Sequence, residues 1–232
     1  MQALSACTAM TAARPFTATM DDALDHLRLT QWLSPAFPIG GFAYSQGLEQ
    51  AITDGAVSDA ASLRDWVLSV LTHGSGRMDA ILLAHARAPE TDIDALADLA
   101  RAYAGSAERA QEMADQGRAF GQTIAAMTGV AQPPLPYAVA VGHATRALAI
   151  QTPQVLALFL QGLAGQLIAA AVKFVPLGQT TGQQVLADLG PALLAQAETC
   201  ATEPLCALGS ACFGAELAQM QHETLDVRIF RS

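Results

Sequence analysis

Basic residues are scarce in this chain. Lysine occurs once, at Lys173, and Lys and Arg together number 12 against 21 Asp and Glu, a formal net charge of −9 at pH 7. That sign is wrong for neutralising nucleic-acid phosphates or an anionic lipid surface, and no polybasic patch can be assembled from one lysine and scattered arginines. Charge as a whole is also thin: 14% of the 232 residues are charged and 6% are aromatic, against 52% apolar. So large an apolar fraction excludes a disordered chain, and the length fits one compact domain. Cysteine is limited to Cys7, Cys200, Cys206 and Cys212, which makes no disulfide framework at this length and points to a reducing cytoplasm. Residues 1–20 carry a single charge, Arg14, and are broken up by Thr, Ser and Pro, so they read as a disordered leader rather than an export signal.

Alternating β-branched runs bounded by hairpin dipeptides are missing as well, whereas apolar residues recur at helical spacing almost throughout. The expected fold is all-α, a single-domain compact bundle of roughly eight to ten helices over residues 21–225, followed by a flexible tail, 226–232. The clearest helix carries Leu63, Trp66, Val67, Val70 and Leu71 on one stripe, entered from Ser58 or Asp59 and ended by Gly74. Burying each of those side chains is worth about 2 kcal/mol, so the stripe demands a partner helix. Further helices are expected from Met78 to Ala88 and from Thr91 toward Gly129. The second of these has Glu108, Arg109 and Arg118 on its surface and close approach of a neighbour at Gly117 and Gly121. After the stiff connector of Pro133, Pro134 and Pro136, Pro153 opens an apolar helix that ends before Pro176. Val155–Val172 is long enough to cross a membrane, but without positive flanks a central buried helix is the better reading. The segment 178–184 reads as a turn into a new helix, with Thr181 and Gln184 at capping-box spacing. Gly190-Pro191 is expected to stop that helix, and a last one to span about Leu205–Gln221.

Catalytic patterns are sparse. Ser45 sits one residue short of a G-x-S-x-G elbow, and the proline-rich stretch before it cannot supply the strand that an elbow needs, so Ser45 is expected to line a helix start. His26, His73, His85, His143 and His222 form no metal-ligand pair, and no paired C-x-x-C occurs. Cys200, Cys206 and Cys212 step by six residues and cannot share one helix face, which favours core packing for all three. Gly178–Gly182 lacks the Gly-Lys-Ser/Thr ending of a phosphate loop. Function must then reside in surfaces, although a serine enzyme using Ser45 with His222 and a membrane-embedded helical protein stay open as rivals.

Two stretches carry more than periodicity. Leu33-Ser34-Pro35-Ala36-Phe37-Pro38-Ile39-Gly40-Gly41-Phe42-Ala43-Tyr44-Ser45-Gln46-Gly47-Leu48-Glu49 resembles the signature of the urease accessory protein family UreF. His222-Glu223-Thr224 through Arg228-Ile229-Phe230-Arg231-Ser232 is similar to that family's H-E-T…R-L-F-x-S ending, with Ile at the Leu position. Val172–Gln179 also resembles the family's segment before its late helices. Ala43 stands where Ser is usual. The resemblance implies an all-α, non-catalytic chaperone that dimerises and joins UreD (or UreH) and the GTPase UreG to apo-urease for nickel insertion. It implies no permanently bound cofactor, with nickel and GTP handled by partner proteins, and neither nucleic acid nor membrane as a partner.

Partner-binding residues follow from the matching positions. Gly40 and Gly41 admit backbone conformations closed to larger residues and so set the angle of Phe42 and Tyr44. Phe42 is expected in the core, and Tyr44 in either core or interface. Glu49 is open between a solvated helix face and an interface. Lys173 suits the last carbonyls of its helix, or a contact with UreG or a position near the nickel route. Beside His222, the tail residues Arg228, Ile229, Phe230 and Arg231 offer guanidinium groups next to apolar anchors, suited to ordering on a UreD-type partner, with Arg228 helping to build the surface UreG reads.

Overall fold

The computed structural model describes residues 20–232. Of the expected leader 1–20, only Met20 is among them, as the first residue of helix α1, and the rest lies outside the described residues. The order is α1 (Met20–Trp32), α2 (Leu48–Thr53), α3 (Ala60–His73), α4 (Ser75–Arg87), α5 (Ile93–Ala102), α6 (Ala107–Thr128), α7 (Tyr137–Ala144), α8 (Thr152–Ala171), α9 (Gly178–Cys200) and α10 (Phe213–His222). Short 3-10 turns occupy 41–43, 145–147 and 205–207, and no strand occurs among the described residues. The expected all-α bundle is therefore the fold.

Local chemistry explains most boundaries. Asp59 caps α3 by accepting from Ser62 N while Ser62 Oγ accepts from Asp59 N, a reciprocal box that satisfies two otherwise orphaned amides. The stripe from Leu63 to Leu71 is buried as expected, with Trp66 packed at its margin. Helix α8 lies at the centre, running along α9 and touching α2, α3 and α4. Its length and composition would allow a membrane crossing, yet 56% of its apolar window is buried inside the protein. Val155, Leu156, Leu160 and Leu167 spend their apolarity on neighbouring helices, which is the role expected of a core helix. Gly117 is required by close packing: a Cβ there would come 2.0 Å from Leu135 O, where the proline-rich connector crosses α6.

Several expectations are corrected. The helix expected from Thr91 to Gly129 is two helices, because Ser106 Oγ accepts from Arg109 N and starts α6 afresh after Gly105. Asp92, rather than Thr91, caps α5. Arg109 is not on the surface but buried between Asp79 and Glu112. Thr181 lies inside α9, which begins at Gly178 and continues through Pro191. The backbone bond lost at that proline, about 3 kcal/mol in a helix interior, is offset by burial of Val185, Leu189, Leu193 and Ala197 on both sides of it. The helix expected over 205–221 is a 3-10 turn, a linker and α10, because Ala211 N donates to His73 O and pulls the linker onto α3. Cys200 is buried as expected and Cys212 partly so, but Cys206 is exposed.

Candidate partner-docking site

The glycine-rich stretch before α2 is a loop held in left-handed backbone conformations at Gly40 (φ 72°) and Gly47 (φ 79°). Gly47 also has no room for a side chain, since a Cβ would lie 2.7 Å from Gln219 N on α10. This geometry reverses one expectation. Phe42 is 78% exposed, while Tyr44 is 3% exposed and belongs to the core side of the loop. Tyr44 is anchored by its hydroxyl, which donates to Asp115 Oδ2 at 3.3 Å, and by its carbonyl, which accepts from Gln166 Nε2 at 3.2 Å. Burial pushes the Tyr44 phenol above its ordinary pKa, and the Asp115 carboxylate adds to that rise against an opposing contact from Arg231.

The tail 226–232 lies directly on this loop. Ser45 N donates to Ser232 O at 2.7 Å and the Ser45 hydroxyl donates to the same oxygen, while Arg231 N donates to Ala43 O at 2.8 Å. Ser45 Oγ also accepts from Glu49 N, so the serine does line a helix start and anchors the tail as well. Glu49 supplies the second clamp: Oε1 accepts from Ile229 N at 2.9 Å and Oε2 from Phe230 N at 3.0 Å. Neither a solvated helix face nor an interface, Glu49 is a buried receptor for two backbone amides. Burial works to raise its carboxyl, but the donors from Phe230, His222 and Ile229 hold it below the ordinary carboxylate range.

His222 joins the two clamps. Its ring is fully buried, with Nε2 3.1 Å from Glu49 Oε2 and Nδ1 2.7 Å from Glu108 Oε2. An imidazolium donates to both carboxylates, whereas a neutral ring satisfies only one. Glu108 Oε1 then accepts from Arg228 Nη1 at 2.5 Å. The neighbouring Glu223 accepts from Ala107 N at 2.8 Å, capping α6 at the end where a carboxylate is favoured. On the far side Phe230 is buried against Phe174, ring centroids 5.5 Å apart, and Lys173 Nζ stands 5.2 Å above the Phe230 ring. Lys173 thus meets an aromatic face.

Every residue expected at the site falls on this loop, on the tail or beside them, although 173 residues separate Glu49 from His222. The tail needs no second chain to order it, because Glu49, Ser45 and Ala43 provide intrachain partners. Phe42, Val227 and Ile229 remain on the outside, and Arg231 is exposed while its side chain contacts the Tyr44 phenol. Glu108, Asp115 and Gln166 were not singled out from sequence. Glu108 reads there only as a surface residue of a long helix, and Asp115 and Gln166 have no motif around them. Among the described residues, no group of three or more His, Cys, Asp or Glu is arranged to hold a metal ion.

Comparison with known proteins bears on the whole assembly. The sequence model of the UreF family matches residues 57–190. The urease accessory protein UreF of Cereibacter sphaeroides strain KD131 is 55% identical over 206 residues, covering 89% of this chain and 98% of that protein. The chain belongs to the UreF family. Other UreF proteins are similar over the same share of the chain, that of Dinoroseobacter shibae at 50% identity, covering 98% of its length, and that of Paracoccus denitrificans at 49%, covering 95%. The UreF model lies between the loop and the tail that carry most of the sequence resemblance and includes the Val172–Gln179 segment.

Proposed function

We propose that this chain is a non-catalytic adaptor in the maturation of urease, joining UreD/UreH and the GTPase UreG to apo-urease while nickel is inserted. The loop and tail clamped together by Glu49 and His222 carry this reading. Their junction leaves Phe42 and Ile229 exposed on a rigid support, a costly display of apolar side chains that a docking partner would cover. The clamp's polar groups are committed to one another and to backbone amides, which suits a scaffold better than a reaction centre. Nickel is cargo here and GTP belongs to UreG. The protein would work in the cytoplasm as a homodimer, without nucleic acid or membrane.

Membership of a family named for accessory proteins of urease supports the reading. Activation of apo-urease in a mixture of UreD, UreG, nickel, bicarbonate and GTP, with and without this protein, tests it. Activity that rises only when the chain is present is the expected result. Equal activation in its absence would remove the proposed role.

A further inference from the structure

One buried ring stands between the two carboxylates that hold the tail. His222 has no solvent exposure, and its nitrogens face different acids, Glu49 of α2 through Nε2 and Glu108 of α6 through Nδ1. Each carboxylate is shared between that ring and the tail. Glu49 takes the amides of Ile229 and Phe230, and the second oxygen of Glu108 takes the Arg228 guanidinium. A movement that carries either carboxylate off the ring therefore carries it off the tail as well.

Charge decides which form of the ring fits. Glu49 is ionised at neutral pH, since its carboxyl lies below the ordinary range. Among the described residues, His222 supplies the one cation within ion-pair distance of Glu49, while Glu108 has Arg228 besides. The other charged groups nearby are committed elsewhere: Glu223 to the amides of Ala107 and Glu108, Arg109 to Asp79 and Glu112, Arg231 to the Tyr44 phenol, and Lys173 to the Phe230 ring. An imidazolium sets two cations against two carboxylates and donates from both nitrogens. A neutral imidazole leaves one negative charge in excess and turns a lone pair toward a carboxylate oxygen at 2.7 or 3.1 Å. That contact is repulsive, and in a site closed to water little screens it.

We propose that the tail 226–232 is a proton-gated latch, docked while His222 is an imidazolium and released when the ring loses its second proton to solvent. Release follows because a carboxylate that swings off the neutral ring gives up its tail donors. By linkage, a docked tail that favours the imidazolium is itself favoured by the proton. That stability is fully present below the ring's titration in the unfolded chain and is lost as pH rises through its titration in the folded one. The Glu49 carboxyl sets the opposite limit, at the acid end. The latch is a property of the chain alone and does not rest on the proposed role in urease maturation.

NMR of the full-length protein with isotope-labelled histidine tests this, because the two nitrogens of an imidazolium resonate close together and those of a neutral ring far apart. The His222 signal, assigned with His222→Gln, should be that of an imidazolium at pH 7. Protection of the Ile229 and Phe230 amides, corrected for the intrinsic pH dependence of exchange, should fall about tenfold or more between pH 6 and pH 9.5, about tenfold for each pH unit by which docking moves the ring's titration. The loss should follow the ring's own titration curve, and α8 amides should keep their protection. His222→Gln, uncharged throughout, should show a weakly protected tail with no dependence on pH in this range. If that variant does not fold, Glu108→Gln removes one of the two acids that call for the proton, and should move both the ring's titration and the loss of tail protection to lower pH. A neutral ring at pH 7, tail protection constant from pH 6 to pH 9.5, or an unmoved titration in folded Glu108→Gln would overturn the proposal.

Discussion

Glu49 and His222 meet at 3.1 Å in the interior, and through that contact the start of helix α2 holds the end of helix α10. Glu49 also receives the amides of Ile229 and Phe230, so one carboxylate fixes both the helix and the tail that follows it. Replacing it by glutamine puts an NH2 where one of these donors must bind. Glu49→Gln should therefore lower stability by about 1–3 kcal/mol, the cost of buried donors left unpaired. Hydrogen exchange should show the Ile229 and Phe230 amides losing protection while those of α8 keep theirs.

The same contact sets a pH dependence. The Glu49 carboxyl lies below its ordinary value of 4.5 in the folded protein. A depressed folded pKa contributes stability that is fully present above the unfolded value and is lost as pH falls through the folded one. The tail should accordingly stay docked at neutral pH and loosen on acidification below about 4.5. Amide exchange at Ile229 and Phe230 measured from pH 6 to pH 3 checks this, and Glu49→Gln should flatten the profile.

Gly47→Ala should be destabilising for two reasons that act together. The position has φ 79°, and the added Cβ would meet Gln219 N at 2.7 Å. A loss of about 1–3 kcal/mol is expected from such overpacking, visible as a lower Tm together with weaker docking of α10 on α2.

How much of this was legible in the sequence depends on the distance over which each feature is decided. Asp59 with Ser62 and the stripe from Leu63 to Leu71 are local, and the α3 helix they imply is present. Gly117 was readable as a close approach, since a small residue on a helix face has few other uses. Pro191 misled, because a local breaking signal was outweighed by burial from Val185 to Ala197 that only the tertiary structure supplies. Phe42 and Tyr44 could not be sorted by hydrophobicity. The left-handed turn at Gly40 decides which of them faces out. The loop and the tail were each recognisable, but Glu108, the partner of both His222 and Arg228, lies 114 residues before that histidine and belongs to no motif.

Exposure and function should separate at Phe42. With 78% of its surface in solvent, Phe42→Ala should change stability by no more than about 0.5 kcal/mol. Urease activation, by contrast, should fall markedly if the ring is a docking anchor. Tyr44→Ala is a poorer probe, because it also removes a buried ring and the bond to Asp115.

Arg228→Ala should leave His222 in place but free one oxygen of Glu108. The side chain is partly in solvent, so the stability cost should be about 1 kcal/mol or less. Co-purification with UreD and UreG should weaken more than that small cost explains if the guanidinium takes part in a partner surface.

The central claim is that the exposed face of the loop–tail junction is where partners dock, and the double variant Phe42→Ala/Ile229→Ala tests it most directly. Both side chains are outside the core, so the protein should fold with unchanged helicity and melting temperature. Recovery of the complex with UreD and UreG should then drop severalfold relative to the unsubstituted protein. Undiminished recovery of the complex by the folded double variant would contradict the account.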